Sequence, residues 1–367
     1  SGGVDKYFST YQLRHTSSMT ILTAAELTTI LRENGHLQNS EITRIEMGER
    51  FSAAADEVCR LHLDYAQPVS EPVPLSLICK RYGARWLTAQ GLPELTFYQT
   101  FAPQMPHIPI VSFYGSKEDA SEPNLTVLLE DLAVNYAVAQ PPLTEQQLEL
   151  VTDTLVSLHA AWWQHPLLNS PQLLVADESV CRMPQVLDLG AIKKHAEVAA
   201  IASERFQQAH ALELTPTEQA LLTKLSQQWG GLFAQRVEKG EAITLIHGDF
   251  HLLGNIFFAK DSATQPRLKI IDWAQCKRGL GAHDLMYMLL SVDSERRVER
   301  DLRLLKRYHR GLVESGITNY EWEQCLWDYQ FSQLTNLFQS IFQDSLRWLR
   351  KTMSVIDAWQ SELLLNE

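Results

Sequence analysis

Three short apolar segments, 242–246, 256–258 and 268–271, constrain the fold of this chain more than any other part of its sequence. Their length and composition predict buried strands. A polar turn between the second and third segments indicates a hairpin. Four chemically versatile side chains separate the first two segments: His247, Asp249, His251 and Asn255. The pattern predicts a polar loop between rigid strands, for which a catalytic loop and a plain polar turn are both open interpretations.

A second acidic residue, Asp272, directly follows the third segment. The predicted hairpin brings Asn255, at its beginning, close to Asp272, at its end. Carboxylate and amide oxygens suit Mg²⁺, which binds one or two protein groups together with phosphate and water. Strand ends also collect polar residues that have no function, so a magnesium site and a structural hairpin end are alternatives at this point.

The length and composition of the chain are those of an ordinary globular protein. Its 367 residues are enough for two or three domains or for one two-lobed enzyme. The net charge of −12 argues against nucleic acid and anionic membranes as partners. Five scattered cysteines without C-x-x-C spacing favour a reducing cytoplasm over a disulfide framework. Because no apolar run approaches the roughly 18 residues of a membrane span, we expect a cytoplasmic protein.

The hydrophobic periodicity changes along the chain, and this change predicts two lobes. Alternating apolar residues predict strands at five places: 42–45, 58–63, 75–80, 108–113 and 125–129. Helical spacing begins near Gln146 and, apart from the three central strands, continues to the end of the chain. The predicted fold is α+β, with a small β-rich lobe over residues 19–130 that has one embedded helix, and a larger helical lobe over residues 131–367. Residues 1–18 precede the first methionine and are interpreted as a tag or a disordered leader.

A lysine and a glutamate in the β-rich half have a spacing that suits an ion pair. Lys80 ends a predicted strand, and Glu94 lies on the helix that follows it. A lysine held by a glutamate is a positioned cation that can bind a polyphosphate.

Taken together, these residues resemble the catalytic and metal-binding motifs of the aminoglycoside phosphotransferase/choline kinase-like family, which includes ecdysteroid-kinase-like members. The central motif is His247-Gly248-Asp249-Phe250-His251 with Asn255, followed by Ile271-Asp272-Trp273. Further segments agree in order with the family's hinge, the helix after it and its glycine-containing segment: 128–132, 155–160 and 279–285. The resemblance covers roughly residues 40–340 and implies a bilobal protein-kinase-like fold.

The resemblance implies a small-molecule kinase that uses ATP and Mg²⁺. Asp249 would accept or orient the proton of the attacking substrate hydroxyl. Asn255 and Asp272 would hold Mg²⁺ across the phosphates of ATP. Asp284, in the glycine-containing segment, would support the catalytic loop.

The resemblance also implies a set of nucleotide contacts in the N-terminal half. Lys80, fixed by Glu94, would bind the α- and β-phosphates of ATP. Backbone groups of Glu130 and Leu132, in a hinge near residues 130–132, would contact the adenine. Ser52 would approach the phosphates, although the stretch that contains it is not a glycine-rich loop.

One departure from the family pattern concerns the catalytic loop. Asp249 and Asn255 are six residues apart, whereas the family usually has five. We expect a bulge at Gly254 to absorb the additional residue, which makes Asn255 a less secure metal ligand than Asp272. The same departure leaves a second interpretation open, in which the chain is a catalytically silent pseudokinase that binds a nucleotide or a partner.

The expected acceptor is the hydroxyl group of a small molecule such as an antibiotic, an amino alcohol, a sugar or a steroid-like alcohol. Candidate pocket residues are His251 in the loop, and Trp327 and Phe331, which lie off the apolar stripe of a C-terminal helix. His159 and His247 are interpreted as structural histidines. We expect no nucleic acid or membrane partner, and either a monomer or a homodimer.

Overall fold

A computed structural model describes residues 22–67, 73–119, 122–170 and 189–366. The predicted leader over residues 1–18 lies outside these ranges. The chain divides into two compact units: one reaches Leu95 and includes Val111–Val134, and the other comprises Thr96–Ile110 and the chain from Asn135. The lobe boundary predicted near residues 130–132 stays a prediction. Throughout the described ranges, every helix is too short or too polar to cross a lipid bilayer.

The first unit is built on an antiparallel five-stranded sheet. In chain order its strands are β1 (Ile42–Phe51), β2 (Glu57–Tyr65), β3 (Ser76–Tyr82), β4 (Phe113–Glu118) and β5 (Leu125–Glu130), and their spatial order is β1-β2-β3-β5-β4. Helix α1 (Ala24–Glu33) begins at a capping box, in which Thr23 and Glu26 bond to each other's backbone N–H groups. Its buried Leu27 and Leu31 join the apolar cluster of the sheet.

The helix that carries Glu94 is short and irregular. It consists of α2 (Leu92–Thr96), which is preceded by a π-helical turn at Leu87–Gly91 and followed by another at Phe97–Phe101. A 3₁₀ turn, Ala102–Gln104, ends this helical segment. Glu94 and Leu95 are both buried.

The second unit is mainly helical. Its helices are α3 (Glu145–Ala161), α4 (Leu189–Ala209), α5 (Pro216–Val237), α6 (Leu252–Asn255), α7 (Ala282–Leu290), α8 (Arg297–Glu314), α9 (Trp322–Phe342) and α10 (Leu346–Trp359). Short 3₁₀ turns lie at Pro166–Asn169, Trp273–Gln275 and Ser361–Asn366. Helix α3 packs against α8, α4 against α5, and α9 against both α7 and α10.

Short strands in the second unit hold the central polar loop. They are β6 (Tyr136–Val138), β7 (Thr244–Ile246), β8 (Ile256–Ala259), β9 (Leu268–Ile270) and β10 (Lys277–Gly279). Strands β8 and β9 form the predicted hairpin, and β6 joins them in a three-stranded antiparallel sheet. Strand β7 pairs with β10 in a separate ribbon. The loop with Asp249 therefore leaves the β7–β10 ribbon and enters the three-stranded sheet at β8.

The predicted strand at 108–113 is wrong. Pro106 and Pro109 lack the backbone N–H that a strand ladder requires. In the structure Ile110 makes only an isolated parallel bridge to Ile270, and the regular strand β4 begins at Phe113.

The capping box of α3 provides a test of the helix assignment in the second unit. The Thr144 hydroxyl accepts a hydrogen bond from the Gln147 N–H at 3.1 Å, and the Gln147 side chain accepts one from the Thr144 N–H at 2.9 Å. We expect Thr144→Ala to lower the free energy of unfolding by about 1 kcal/mol, measured by urea denaturation. Thr154→Ala is the matched control, because its hydroxyl bonds only to the Leu150 carbonyl within the same helix. Equal losses in the two variants would contradict the capping role.

Candidate active site

The carboxylate of Asp284, at the start of α7, anchors the loop that contains Asp249. Asp284 is fully buried, and it accepts hydrogen bonds from the His247 N–H at 2.6 Å and from the Gly248 N–H at 3.0 Å. Burial alone raises the pKa of Asp284, but the hydrogen bond from His159 and the nearby imidazoles outweigh it, so the net pKa is below its usual value. The predicted supporting role of Asp284 is confirmed by these bonds.

His159, on α3, holds Asp284 in place from the other side. Its Nε2 lies 3.3 Å from Asp284 Oδ2, and its Nδ1 lies 2.8 Å from the Tyr308 hydroxyl. Since an ionised carboxylate only accepts, Nε2 carries the proton and Nδ1 accepts from Tyr308. Gly281 leaves room for the contact between His159 and Tyr308, because a Cβ atom at this position would lie 3.0 Å from His159 Nδ1. Helices α3, α7 and α8 therefore meet at the support of the loop.

His247 connects the loop to the strand that precedes Asp272. Its Nδ1 accepts a hydrogen bond from the Asp249 N–H at 3.3 Å, and its Nε2 lies 2.9 Å from the Ile271 carbonyl. This pairing assigns the proton to Nε2, which donates to the carbonyl. With a fully buried ring that packs against Trp273, His247 is structural, as predicted.

Asp249 has a fixed backbone and an uncommitted side chain. Its carbonyl accepts from the His251 N–H at 2.9 Å and from the Asn255 side-chain amide at 2.8 Å. The residue is half-buried. Within the described part of the chain, its carboxylate makes no hydrogen bond. A rigidly held carboxylate of this kind is suited to receive a proton from a bound alcohol.

The predicted bulge at Gly254 is wrong: the additional residue of the loop is absorbed by one helical turn, α6. The turn closes with a bond of 3.2 Å from the Asn255 N–H to the His251 carbonyl, which is the spacing of a normal helix. A Cβ atom at Gly254 would overlap the His251 ring, so a larger residue at this position would displace that ring. The turn keeps Asn255 buried and directed at the loop, with its amide nitrogen on the Asp249 carbonyl. The Oδ1 atom of Asn255 is thereby left as the potential metal ligand.

Asp272 lies next to Asn255 through the sheet, as the hairpin predicts. The Ile271 N–H donates to the Asn255 carbonyl at 3.0 Å. Asp272 is the next residue, so its backbone lies close to that of Asn255. Asp272 has left-handed backbone angles, φ 65° and ψ 62°, a conformation that aspartate tolerates better than most residues. The following Trp273 is fully buried and stacks on Phe97 at 4.1 Å between ring centroids, which fixes the turn.

Lys80 and Glu94 form the predicted ion pair in the first unit. The Lys80 Nζ to Glu94 Oε1 distance is 2.8 Å, and the side chains are 8% and 0% exposed. The Tyr82 hydroxyl donates to the second carboxylate oxygen of Glu94. The tyrosine thereby satisfies the carboxylate oxygen that Lys80 does not bind, which a buried ion pair requires.

The other predicted nucleotide contacts lie in two places of the first unit, at the end of β5 and between β1 and β2. The Glu130 N–H donates to the Ser112 carbonyl at 2.9 Å, and its carboxylate accepts from the Ser112 N–H at 2.9 Å. Leu132 is buried, whereas Ser52 is exposed in the turn between β1 and β2. Between Glu130 and Leu132, Asp131 bonds to Arg60 at 2.7 Å, which braces the segment predicted as a hinge.

The predicted pocket residues fall into two groups. Trp327 and Phe331 stack on each other at 4.7 Å, and Phe331 is buried against Phe233 of α5. The His251 ring instead contacts Tyr287 of α7. Among the described residues, no ring contact joins the two groups.

Two residues near the loop were missed by the sequence analysis. Lys277 on β10 is only 2% exposed, and a Cβ atom at Gly248 would lie 2.9 Å from its Cε atom. His283, which precedes Asp284, is 3% exposed. The sequence has no signal for either, because a lysine beside a turn and a histidine in a helix are usually read as solvated residues.

Among the described residues there is no cluster of three or more His, Cys, Asp or Glu side chains that could hold a metal.

Solved structures of small-molecule kinases resemble this fold. A choline kinase from Cryptosporidium parvum Iowa II is 13% identical, with 92% of this chain and 94% of that chain covered and a TM-score of 0.53. A Plasmodium vivax ethanolamine kinase is 13% identical, with 86% of this chain and 82% of that chain covered and a TM-score of 0.50. An aminoglycoside 2′-phosphotransferase in a GDP complex is 14% identical, with 93% of this chain and 99% of that chain covered and a TM-score of 0.51. The predicted α+β, protein-kinase-like fold is thereby confirmed.

The sequence also matches a family model. Residues 89–318 match the model described as the ecdysteroid kinase-like family. Because the match spans more than half of the chain, the chain belongs to the ecdysteroid kinase-like family. A comparison with curated proteins gives no significant match.

The anchoring role of Asp284 leads to a stability prediction. Asp284→Asn replaces an acceptor oxygen by an NH₂ group, which then faces N–H donors in a buried site. We expect the free energy of unfolding to fall by about 3 kcal/mol or more, measured by urea denaturation. Asp357→Asn, on the exposed face of α10, is the control and should change stability by less than about 0.5 kcal/mol. Similar effects of the two substitutions would show that Asp284 does not anchor the loop.

Proposed function

We propose that this protein transfers the γ-phosphate of ATP to a hydroxyl group of a small molecule. The observation that carries the proposal is the Asp249 carboxylate: it makes no hydrogen bond to any residue that the structure describes, although the backbone around it is held by His247, Asn255 and Asp284. Phosphoryl transfer depends mainly on positioning and on neutralisation of charge. The family membership and the kinase-like fold support the same reaction class.

In this proposal Asp249 orients the acceptor hydroxyl and takes its proton as the phosphoryl group is transferred. The rigid backbone supports such a role, because a catalytic group must be held within a fraction of an ångström of its productive position. The hydrogen bonds to the Asp249 carbonyl and N–H fix the residue without using its carboxylate.

Asn255 and Asp272 fit the chemistry of a magnesium site. Mg²⁺ prefers hard oxygen ligands and uses only one or two protein groups, with phosphate and water for the rest. The amide of Asn255 is oriented by its bond to the Asp249 carbonyl, and Asp272 offers a half-buried carboxylate. When bound, the ion would neutralise charge on the phosphates of ATP.

The proposed nucleotide contacts are Lys80, Glu94, Glu130, Leu132 and Ser52. The ion pair with Glu94 holds the Lys80 ammonium, which would bind the α- and β-phosphates. Because the Glu130 N–H is engaged with Ser112, the adenine would be bound through the Glu130 carbonyl and the Leu132 backbone. Ser52 would contribute a hydroxyl near the phosphates.

The acceptor would be identified by a turnover screen. The panel comprises aminoglycosides, macrolides, choline, sugars and steroid alcohols, each incubated with γ-labelled ATP and Mg²⁺. Stabilisation by Mg-ATP in a thermal shift assay is the accompanying binding test, since a ligand at a hundred times its Kd adds about 2.7 kcal/mol to stability. Nucleotide binding without any turnover would instead favour the pseudokinase.

Asp249→Asn is the most direct test of the proposed proton acceptor. Asparagine has the same shape but cannot take the proton, so we expect kcat to fall by roughly 10²- to 10⁴-fold. The Kd for Mg-ATP should stay within about threefold of its original value, because the carboxylate is not assigned to the nucleotide. A variant that retains its full kcat would refute this role for Asp249.

Asp272→Asn tests the metal site without disturbing the backbone. Asparagine tolerates the left-handed conformation of this position, whereas alanine adds a strain of about 1 kcal/mol. We expect the affinity for ATP, measured by calorimetric titration, to lose its dependence on Mg²⁺. In the unmodified protein, EDTA should abolish turnover and added Mg²⁺ should restore it. Turnover that persists in EDTA would contradict the proposed use of Mg²⁺.

A further inference from the structure

Two buried cysteines lie directly opposite each other in the sheet of the first unit. Cys59 on β2 pairs with Cys79 on β3 in the antiparallel ladder. Both side chains belong to the apolar cluster that the sheet forms with α1, and the two residues are 0% and 1% exposed. Both are free thiols in this structure. We call them the Cys59–Cys79 pair.

The spacing of the pair suits a disulfide. Opposite residues in antiparallel strands have Cα atoms about 4.5–5.5 Å apart, and a disulfide joins cysteines whose Cα atoms are about 4.4–6.8 Å apart. Directly opposite side chains also leave a sheet on the same face, and here the two thiols are close enough to share a hydrogen bond. A sulfur–sulfur bond between them therefore requires no change in the register of the strands.

The two thiols of the pair differ in acidity. The hydrogen bond with the Cys79 thiol is the largest of the causes that set the pKa of Cys59, and it lowers this pKa. The same bond and burial raise the pKa of Cys79. Because the thiolate is the nucleophilic form of cysteine, Cys59 is the sulfur that reacts first with an oxidant. Cys325 on α9 is a contrasting buried thiol, since burial raises its pKa and its neighbours are Tyr320 and Asp328.

The edge of the sheet is irregular beside Cys59. Strand β1 is an edge strand, and its pairing with β2 includes one additional residue of β1 between Met47 and Arg50. Arg50 is the residue that lies opposite Cys59. An additional residue locally disrupts the hydrogen bonds of a ladder, so a small uncharged oxidant reaches the buried sulfur of Cys59 most easily from this edge. Hydrogen peroxide, which is little larger than water, is such an oxidant.

We propose that the Cys59–Cys79 pair is a redox-modification site at which hydrogen peroxide converts two thiols into a reversible cross-strand disulfide. The Cys59 thiolate attacks one peroxide oxygen and the O–O bond breaks. The departing hydroxide takes up the proton that Cys59 released, which gives water and a sulfenic acid. The Cys79 sulfur then attacks Cys59 Sγ, the S–O bond breaks, and the second hydroxide leaves as water with the Cys79 proton. One peroxide is reduced while the two sulfurs together lose two electrons.

The disulfide acts on the adjacent position of the ladder, which carries Lys80. Val58 lies opposite Lys80, and the Lys80 side chain leaves the other face of the sheet and binds Glu94 at 2.8 Å. A disulfide holds its Cβ atoms about 3.8 Å apart, closer than the roughly 4.5–5.5 Å of an ordinary opposite pair. Drawing the strands together on the apolar face spreads them on the other face, so Lys80 moves relative to Glu94. This consequence rests on the proposed nucleotide contact of Lys80.

Peptide mapping of the oxidised full chain tests the disulfide directly. Trypsin places Cys59 and Cys79 on two separate peptides, 51–60 and 61–80. The chain is treated with hydrogen peroxide, unfolded, alkylated at its remaining thiols and digested. We expect the two peptides to be linked, with the sum of their masses less two hydrogens, and dithiothreitol to separate them. Cys325 is the internal control and should be recovered as an alkylated thiol.

Cys79→Ser separates the attacking sulfur from the resolving one. Serine has nearly the size of cysteine but forms no disulfide, so the sulfenic acid on Cys59 persists and dimedone should trap it. The unmodified chain should give little of this adduct, because Cys79 consumes the sulfenic acid. Cys325→Ser is the matched control and should give the linked peptides in unchanged yield. If Cys79→Ser has a lowered melting temperature before oxidation, Cys79→Ala replaces it.

Two results of the mapping would overturn the redox site. The first is oxidation of Cys59 to sulfinic or sulfonic acid in the unmodified chain without any link to Cys79. The second is oxidation of Cys325 at the same rate as Cys59, which would show that the pair has no special reactivity. Neither measurement uses ATP, so the redox site is tested independently of the proposed function.

Calorimetric titration with Mg-ATP tests the effect on Lys80. We expect the oxidised chain to bind Mg-ATP roughly tenfold more weakly than the reduced chain, and dithiothreitol to restore the affinity. A chain with both Cys59→Ser and Cys79→Ser is the control, and peroxide should leave its affinity unchanged. Equal affinities of the linked and reduced chains would contradict the effect on Lys80. A reduced chain that fails to bind Mg-ATP would contradict the proposed function instead.

Discussion

The buried carboxylate of Asp284 is the interaction on which the rest of the candidate site depends. It accepts the N–H groups of His247 and Gly248, and these bonds set the path of the chain into Asp249. A charge in this position is stable only because α3 supplies His159 and the loop supplies further donors. The packing of the helices in the second unit therefore also determines the geometry of the loop. The Asp249 carboxylate, by contrast, forms no hydrogen bond within the described ranges of the chain.

The sequence predicted the elements whose hydrophobic period is strong. Helix α3 follows from Leu148, Val151, Leu155 and Leu158, and the structure buries all four. The β8–β9 hairpin follows from two apolar runs around a polar turn. Strands β6 and β10 were not predicted, because three residues show no period and neither strand lies in one of the apolar segments that revealed β7 and β9. The strand expected at 108–113 shows the opposite failure, in which an apolar run was read without the cost of its prolines.

The candidate site was predictable where a residue type is tied to its chemistry. Asp249, Asn255 and Asp272 stand at strand ends, and the ion pair of Lys80 with Glu94 follows from their spacing. The conformation of the longer loop was not predictable, since a bulge and a helical turn can both accommodate one additional residue and the sequence does not distinguish them. His283 escaped notice for a physical reason: an unpartnered buried nitrogen, here its Nδ1 atom, is a property of tertiary packing and leaves no pattern in the sequence.

The central claim is that this chain moves a phosphoryl group from ATP to an alcohol, and ³¹P NMR observes that transfer directly. The full chain, Mg²⁺ and ATP are incubated with each alcohol of the acceptor panel, and the spectrum is followed over time. The account predicts a new phosphomonoester resonance that grows with one class of alcohol while the γ-phosphate resonance of ATP declines and ADP appears. Unchanged ATP with every acceptor, or release of inorganic phosphate alone, would contradict it.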